Sequence, residues 1–167
     1  NEKHLIFAFQ EVAFQNVFTA NNWSASLWDE RREQDSRIND YLGITEANLL
    51  LNNVNPFISK SVSKKTIVSE SGRVSSKLTI AYKNNSKTTE ENAEYKNYLQ
   101  IVLPEGSKVK SVFIDNKEVK TTKAITDFFV YELKTFKPPK ELEIEERREM
   151  NKSIFGLLLN VSPGQIK

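Results

Sequence analysis

The chain has 167 residues, with 24 Lys and Arg against 22 Asp and Glu, a formal net charge of +2, and 38% hydrophobic and 10% aromatic residues. Charges so balanced and intermixed do not describe a general polyanion binder, so no nucleic-acid partner is expected. The lack of cysteine excludes disulfides, thiol nucleophiles and Cys-based metal sites, and a single histidine excludes two-histidine chemistry within one chain.

The first residue is Asn1, and the chain reads as a processed or excised piece of something larger. Leu5-Ile-Phe-Ala-Phe9 is a short apolar run compatible with a buried strand. It leads into Glu11 to Phe18, where Phe14, Val17 and Phe18 fall on one helical stripe at i, i+3 and i+4. Asn21-Asn22 ends that helix, because Asn tolerates the left-handed cap conformation. Trp23 and Trp28 flank a polar turn, with a strand expected over Ala25 to Trp28. The stretch from Asp29 to Asn39 is almost wholly polar and marks a domain boundary. Residues 1–39 are therefore expected to be a strand-helix remnant of a preceding domain, and 40–167 a domain of their own.

From Tyr41 onward the period changes to two. Arg73 to Tyr82 places Val74, Leu78, Ile80 and Tyr82 on one face and Lys77, Thr79 and Lys83 on the other. Lys60 to Ser69 resembles it, with Val62 and Val68 on one face, and Ser71-Gly72 supplies a hairpin turn between the two. Tyr95, Leu99, Ile101 and Leu103 share a face before Pro104-Glu-Gly106, and a second hairpin is expected around Asp115-Asn-Lys-Glu118. Asp127 to Leu133 alternates and predicts a strand; Phe155, Leu157, Leu159 and Val161 alternate before Pro163-Gly164. Six or seven strands without alternating helices predict a mainly β fold, an antiparallel β-sandwich of immunoglobulin-like architecture, cut short at its C-terminus. The longest apolar stretch, Ile154 to Leu159, is far below the roughly 20 residues that span a bilayer, so no direct membrane insertion is expected.

Four segments in order carry a resemblance: Lys3-His-Leu-Ile-Phe-Ala-Phe9 with Gln15 and Asn22-Trp-Ser24; Asp40-Tyr-Leu-Gly-Ile-Thr-Glu-Ala-Asn48; Tyr95 to Ser107; and Ile154-Phe-Gly156 running to Ser162-Pro-Gly164. Together they resemble the C-terminal part of a family of bacterial envelope proteins, the domain of unknown function numbered four thousand and twelve. Where that family tends to place glycines and a lysine after its alanine-asparagine, this chain has Leu49-Leu-Leu-Asn-Asn53. The resemblance implies an extracytoplasmic location, in a parent tethered by an upstream transmembrane helix. It implies no reaction, because the family's activity is itself unestablished.

Several residues carry candidate chemistry. His4 is the only side chain that titrates near neutrality unperturbed, which makes it the candidate general base, with Glu11 or Asp29 as partners; the competing reading is a strand-edge histidine bonded to a loop. Trp23 and Trp28 suit stacking on sugar rings, against interdomain packing. Glu141, Glu143 and Glu145 would share a strand face, read as a solvated one, and no EF-hand spacing, phosphate loop or nucleophile elbow is present. Tyr95, Phe113, Phe129 and Phe155 are expected inside, and lysines 60, 64, 65, 77 and 83 on polar outer faces that protect strand edges. No metal or cofactor is expected. The chain reads as a non-catalytic interaction or spacer module whose partners are other envelope proteins or cell-wall polysaccharide. The alternatives are an accessory part of a glycopolymer-processing enzyme and a carbohydrate-binding module.

Overall fold

The computed structural model describes residues 11–21, 40–50, 52–87, 93–133 and 135–167. The chain divides into two compact units, Asn1–Asn39 and Asp40–Lys167. In the first, the described element is helix α1 (Val12–Ala20). Asn21 follows it, and both its backbone N–H, at 3.2 Å, and its side-chain amide, at 2.8 Å, donate to the Val17 carbonyl; Asn22 lies outside the described residues. The strands expected over Leu5 to Phe9 and Ala25 to Trp28 lie outside the described residues.

The second unit is mainly β, with antiparallel sheets as the alternation predicts. Its strands are β1 (Gly43–Asn48), β2 (Ile58–Val68), β3 (Val74–Asn84), β4 (Tyr95–Pro104), β5 (Val112–Ile114), β6 (Lys117–Val119), β7 (Thr121–Lys123), β8 (Leu142–Glu149) and β9 (Lys152–Val161). A five-stranded sheet has the order β1-β4-β9-β8-β7, antiparallel except for the short edge pair β7–β8. Strands β2 and β3 form a hairpin of eleven-residue arms, and β5 and β6 a smaller one. The smaller hairpin turns on Asp115 and Asn116 alone, both at positive φ, the backbone that a two-residue primed turn requires. Met150 and Asn151 make the same kind of turn between β8 and β9.

The segment Asp127 to Leu133 corrects the sequence reading. It is not a strand: Phe128–Glu132 forms a short helix, α2, in which the Asp127 carboxylate accepts the Phe129 amide at 3.0 Å. An aspartate in the N-cap position satisfies an otherwise orphaned N–H, and that local bond outweighs the alternation of aromatic residues. Phe129 is exposed, as is Phe113 in β5, so two of the four aromatics expected inside are outside. Both lie on elements too short to cover a ring. Tyr95 and Phe155, on the two central strands, are buried as expected.

One face of the sheet carries Tyr95, Asn97, Leu99 and Ile101 from β4 opposite Val161, Leu159, Leu157 and Phe155 from β9. The base of the β2–β3 hairpin packs on this face, so that Tyr82, Ile80 and Ile58 join Val54, Tyr95, Leu159 and Val161 in one apolar cluster. Farther out on this face, Val62, Val68 and Val74 are exposed, 56% in the case of Val68. The hairpin is longer than the sheet face that receives it. The expected inward face of Val62 and Val68 exists as a face, but among the described residues nothing covers its distal half.

At the seam between hairpin and sheet stands Asn84, fully buried. Its amide donates to the carbonyls of Ala93 at 2.8 Å and Val161 at 3.0 Å, and its Oδ1 accepts the Ser86 backbone N–H at 3.0 Å and the Ser86 hydroxyl. One side chain thus closes the bonds left open at the end of β3, at the return into β4 and at the end of β9. Replacing Asn84 with Ala removes its bonds to two carbonyls and a buried N–H, and leaves the Ala93 carbonyl only the long bond from the Ser86 hydroxyl at 3.4 Å. We expect a loss of about 3 kcal/mol, read as a lower midpoint in urea denaturation, because each orphaned buried group costs about 1–3 kcal/mol. A change within experimental error would show that the seam is held by apolar packing alone.

Candidate functional site

His4, Trp23 and Trp28, the residues that carry the acid-base and sugar-stacking readings, lie outside the described residues, as does Asp29. Glu11 is described and exposed at the start of α1. Among the described residues no group of three or more histidine, aspartate or glutamate side chains is placed to hold a metal ion. None of the described helices is long and apolar enough to cross a membrane. A shallow depression of about 540 Å³ lies between the small hairpin and β8, lined by Ile114, Val119, Lys120, Lys140, Glu141 and Leu142.

Two buried or half-buried polar groupings dominate the domain, and neither is legible from local sequence. The first joins hairpin to sheet. Glu46 on β1 accepts the hydroxyl of Tyr82 and the ammonium of Lys60, both from the hairpin, and the Asn97 amide at 3.4 Å. Burial, reinforced by the hydrogen bond to Glu46 and its charge, holds the Tyr82 phenol far above the usual tyrosine range. Burial, with the Glu46 charge second, also raises Tyr95, whose ring lies 6.1 Å from that of Tyr82. The carboxylate is engaged on both oxygens by hairpin and sheet donors, which suits it to fastening layers rather than to taking a proton from a substrate. Lys64 makes a parallel fastening to the Asp40 carboxylate at 2.5 Å.

The second grouping lies on the opposite face of the sheet. Gly156 on β9 has no side chain, and Tyr98 from β4 crosses the gap to donate its hydroxyl to Glu145 on β8. Gln100 donates to the same hydroxyl at 3.3 Å, and the hydroxyl of Thr45 on β1 donates to Gln100 at 3.0 Å. A polar chain therefore runs across four strands. Burial, and then the bond to Glu145, raises the Tyr98 phenol; Gln100 and the Arg147 charge oppose that rise. The reading of Glu141, Glu143 and Glu145 as a solvated face needs correction. Glu143 accepts the Ile125 amide at 3.2 Å, Glu145 accepts Tyr98, and both are half-buried because β4 and the segment that follows β7 supply donors that strand periodicity does not reveal. At the far end of the same face, Lys152 is buried with its ammonium 5.4 Å from the centre of the Tyr41 ring, a cation–π contact.

The surface best suited to a partner is the projecting hairpin. Residues 58–84 hold Lys60, Lys64, Lys65, Arg73, Lys77 and Lys83 against Glu70 alone. Lys60 and Lys64 are tied down by Glu46 and Asp40; among the described residues Lys65, Arg73, Lys77 and Lys83 make no ion pair. Lysines with apolar neighbours at a strand edge were legible in the sequence. That this hairpin overhangs the sheet was not, because overhang depends on the length of the surface beneath it.

No family model, curated protein or solved structure shows significant similarity to the chain.

Two outcomes follow from the polar groupings. A phenol raised by folding contributes stability that is present below its unfolded value near 10 and is lost as pH climbs above it. Denaturation midpoints are therefore expected to fall above about pH 10. Phenolate absorbance of Tyr82, Tyr95 and Tyr98 should appear with unfolding rather than before it, and all five tyrosines ionising together near 10 in folded protein would contradict this. Second, a Cβ at Gly156 would lie 2.5 Å from the Tyr98 hydroxyl oxygen. Gly156→Ala should displace that ring from Glu145 and destabilise the domain by about 1–3 kcal/mol. In the Tyr98→Phe background the same substitution should destabilise less, which a double-mutant cycle measures.

Proposed function

We propose that this chain is a non-catalytic interaction module of a membrane-anchored cell-envelope protein. The observation that carries the interaction half is the β2–β3 hairpin, which overhangs the sheet and presents Val62, Val68 and Val74 on one face and Lys65 and Lys77 on the other. Isolated two-stranded ribbons are marginal in water, so an arm of eleven-residue strands that exposes its apolar face is suited to being completed by something else. The polar groupings support the same reading, since the carboxylates of Glu46 and Glu145 are spent on joining strands. The envelope half rests on the resemblance of the four segments, and on a chain without cysteine suiting export without unpaired thiols.

The two halves separate experimentally. Fractionation of cells producing the full-length parent should place it with the membrane and leave it open to protease added from outside; recovery in the cytoplasmic fraction overturns the location. A photo-crosslinking residue at Val68 should form adducts in cells, whereas the same residue at the exposed Leu158, on the opposite sheet face, should not. Equal labelling at both positions, or none at Val68, overturns the interaction half.

A further inference from the structure

The two oxygens of the Glu46 carboxylate hold groups that can react with each other. Oε2 accepts the ammonium of Lys60, from β2, and Oε1 accepts the amide of Asn97, from β4, at 3.4 Å. An amine and a carboxamide gathered on one carboxylate are the reactants of an amide exchange, and the carboxylate is the proton carrier that exchange requires. Strand register puts them there. Lys60 stands directly opposite Tyr82 in the hairpin, so both side chains project from one face, and both reach Glu46. Glu46 stands opposite Leu99 in the sheet, and Asn97, two residues before Leu99, shares that face. Holding reacting groups in place in this way replaces a slow bimolecular encounter.

Asn97 carries a second sign. It is fully buried, and its Oδ1 is the buried side-chain atom that has no hydrogen-bond partner among the described residues. A buried acceptor without a donor is costly. A half-turn of the carboxamide exchanges Oδ1 and Nδ2 and sets Oδ1 against Glu46. Glu46 bonds it there only as an acid, which is the state it reaches on taking a proton from Lys60. That bond would also draw charge from the carbonyl carbon and open it to attack. The rings of Tyr82 and Tyr95, 6.1 Å apart and both buried, stand beside the group. The Lys60 side chain is 36% exposed, which leaves a small product a way out to solvent.

We propose that Lys60 and Asn97 join in an isopeptide bond within the chain, with Glu46 carrying the protons. Glu46 takes a proton from the Lys60 ammonium, and the free Nζ attacks Cγ of Asn97. The Nζ–Cγ bond forms, the Cγ–Nδ2 bond breaks, and Glu46 passes two protons in turn from Nζ to the departing nitrogen. That nitrogen leaves as ammonium, and Glu46 ends as the carboxylate it began as. No oxidant and no co-reactant enters. Glu46 serves no outside substrate here, since both reactants belong to the chain and the step occurs once. The bond fastens the β2–β3 hairpin to the five-stranded sheet covalently, as a disulfide would, in a chain that has no cysteine. It goes beyond the interaction-module reading and depends on no partner. Lys64 on Asp40 is the contrast: among the described residues no carboxamide shares that carboxylate, so the pair remains ionic.

The test is intact mass spectrometry of the folded 167-residue chain, followed by tryptic mapping. The chain should weigh about 17 Da less than its sequence, the mass of one ammonia. Digestion should leave Lys60 uncut and give one branched peptide that holds Lys60 and Asn97. Glu46→Gln and Lys60→Arg should each keep the full mass, and Lys64→Arg should still lose the ammonia. Lys60→Arg keeps a positive charge beside Glu46, and its thermal midpoint should fall by about 10 °C or more, as expected when a cross-link is lost. Full sequence mass in the folded wild-type chain after days of incubation would overturn the proposal. So would an ammonia loss that persists in Lys60→Arg, a link mapped to other residues, or a loss that maps to an asparagine succinimide with no branched peptide.

Discussion

The arrangement of this domain depends on one buried amide. Asn84 ends β3, yet its side chain bonds the last residue of β9 and the residues that lead into β4. A β-sandwich needs its layers held in register as well as pressed together, and apolar packing is indifferent to small slides. A fully satisfied amide is not, because each of its bonds has a direction and a buried orphan is expensive. The hairpin is thereby fixed at one end over the β4–β9 pair, where Tyr82 and Ile80 meet Tyr95, Leu159 and Val161. The edge pairing of the last residues on β3 starts at this same point.

Polar fastening recurs away from that seam. Glu46 receives donors from both layers, so β1 and the hairpin are joined through a carboxylate rather than through further apolar area. On the other face, Tyr98 reaches Glu145 only because position 156 is glycine. A ring that lies across a glycine restores the packing which the missing side chain would otherwise forfeit, and it brings a hydroxyl to the neighbouring strand. These contacts explain why tyrosine, asparagine and glutamate rather than aliphatic residues occupy so many central positions in a small core. They also leave these side chains committed to structure. One part of the domain is less committed.

That part is the distal hairpin. Its strands continue beyond the apolar cluster, and features that ordinarily blunt strand edges are present in part. Lys65 and Lys77 face each other across the ribbon and oppose pairing of like copies. A near-neutral chain thus holds a strongly basic arm, with six basic residues and Glu70 alone over 58–84, balanced by acidic residues elsewhere.

The sequence by itself determined the class of this fold and many of its strands. Period-two alternation in β3, β4 and β9 is a direct consequence of burying one sheet face. The glycine and asparagine turns at Gly72 and Asn116 are read equally well, because positive φ restricts residue choice locally. Where a local bond competes with periodicity, as at Asp127, the pattern misleads: alternating aromatics mark no strand there, and the cap makes a helix. Short pairs such as β7 with β8 leave almost no pattern at all. The polar joints at Asn84, Glu46 and Glu145 were out of reach for a different reason. Each includes a link between residues far apart in the chain, 36 positions for Glu46 with Tyr82 and 77 for Asn84 with Val161, and an asparagine reads as polar whether it faces water or a buried carbonyl. Valine in β2 reads as core whether or not a sheet lies beneath it. Which of these residues are covered, joined or left open is decided by the tertiary arrangement, because burial belongs to a surface made by distant segments and to no residue alone.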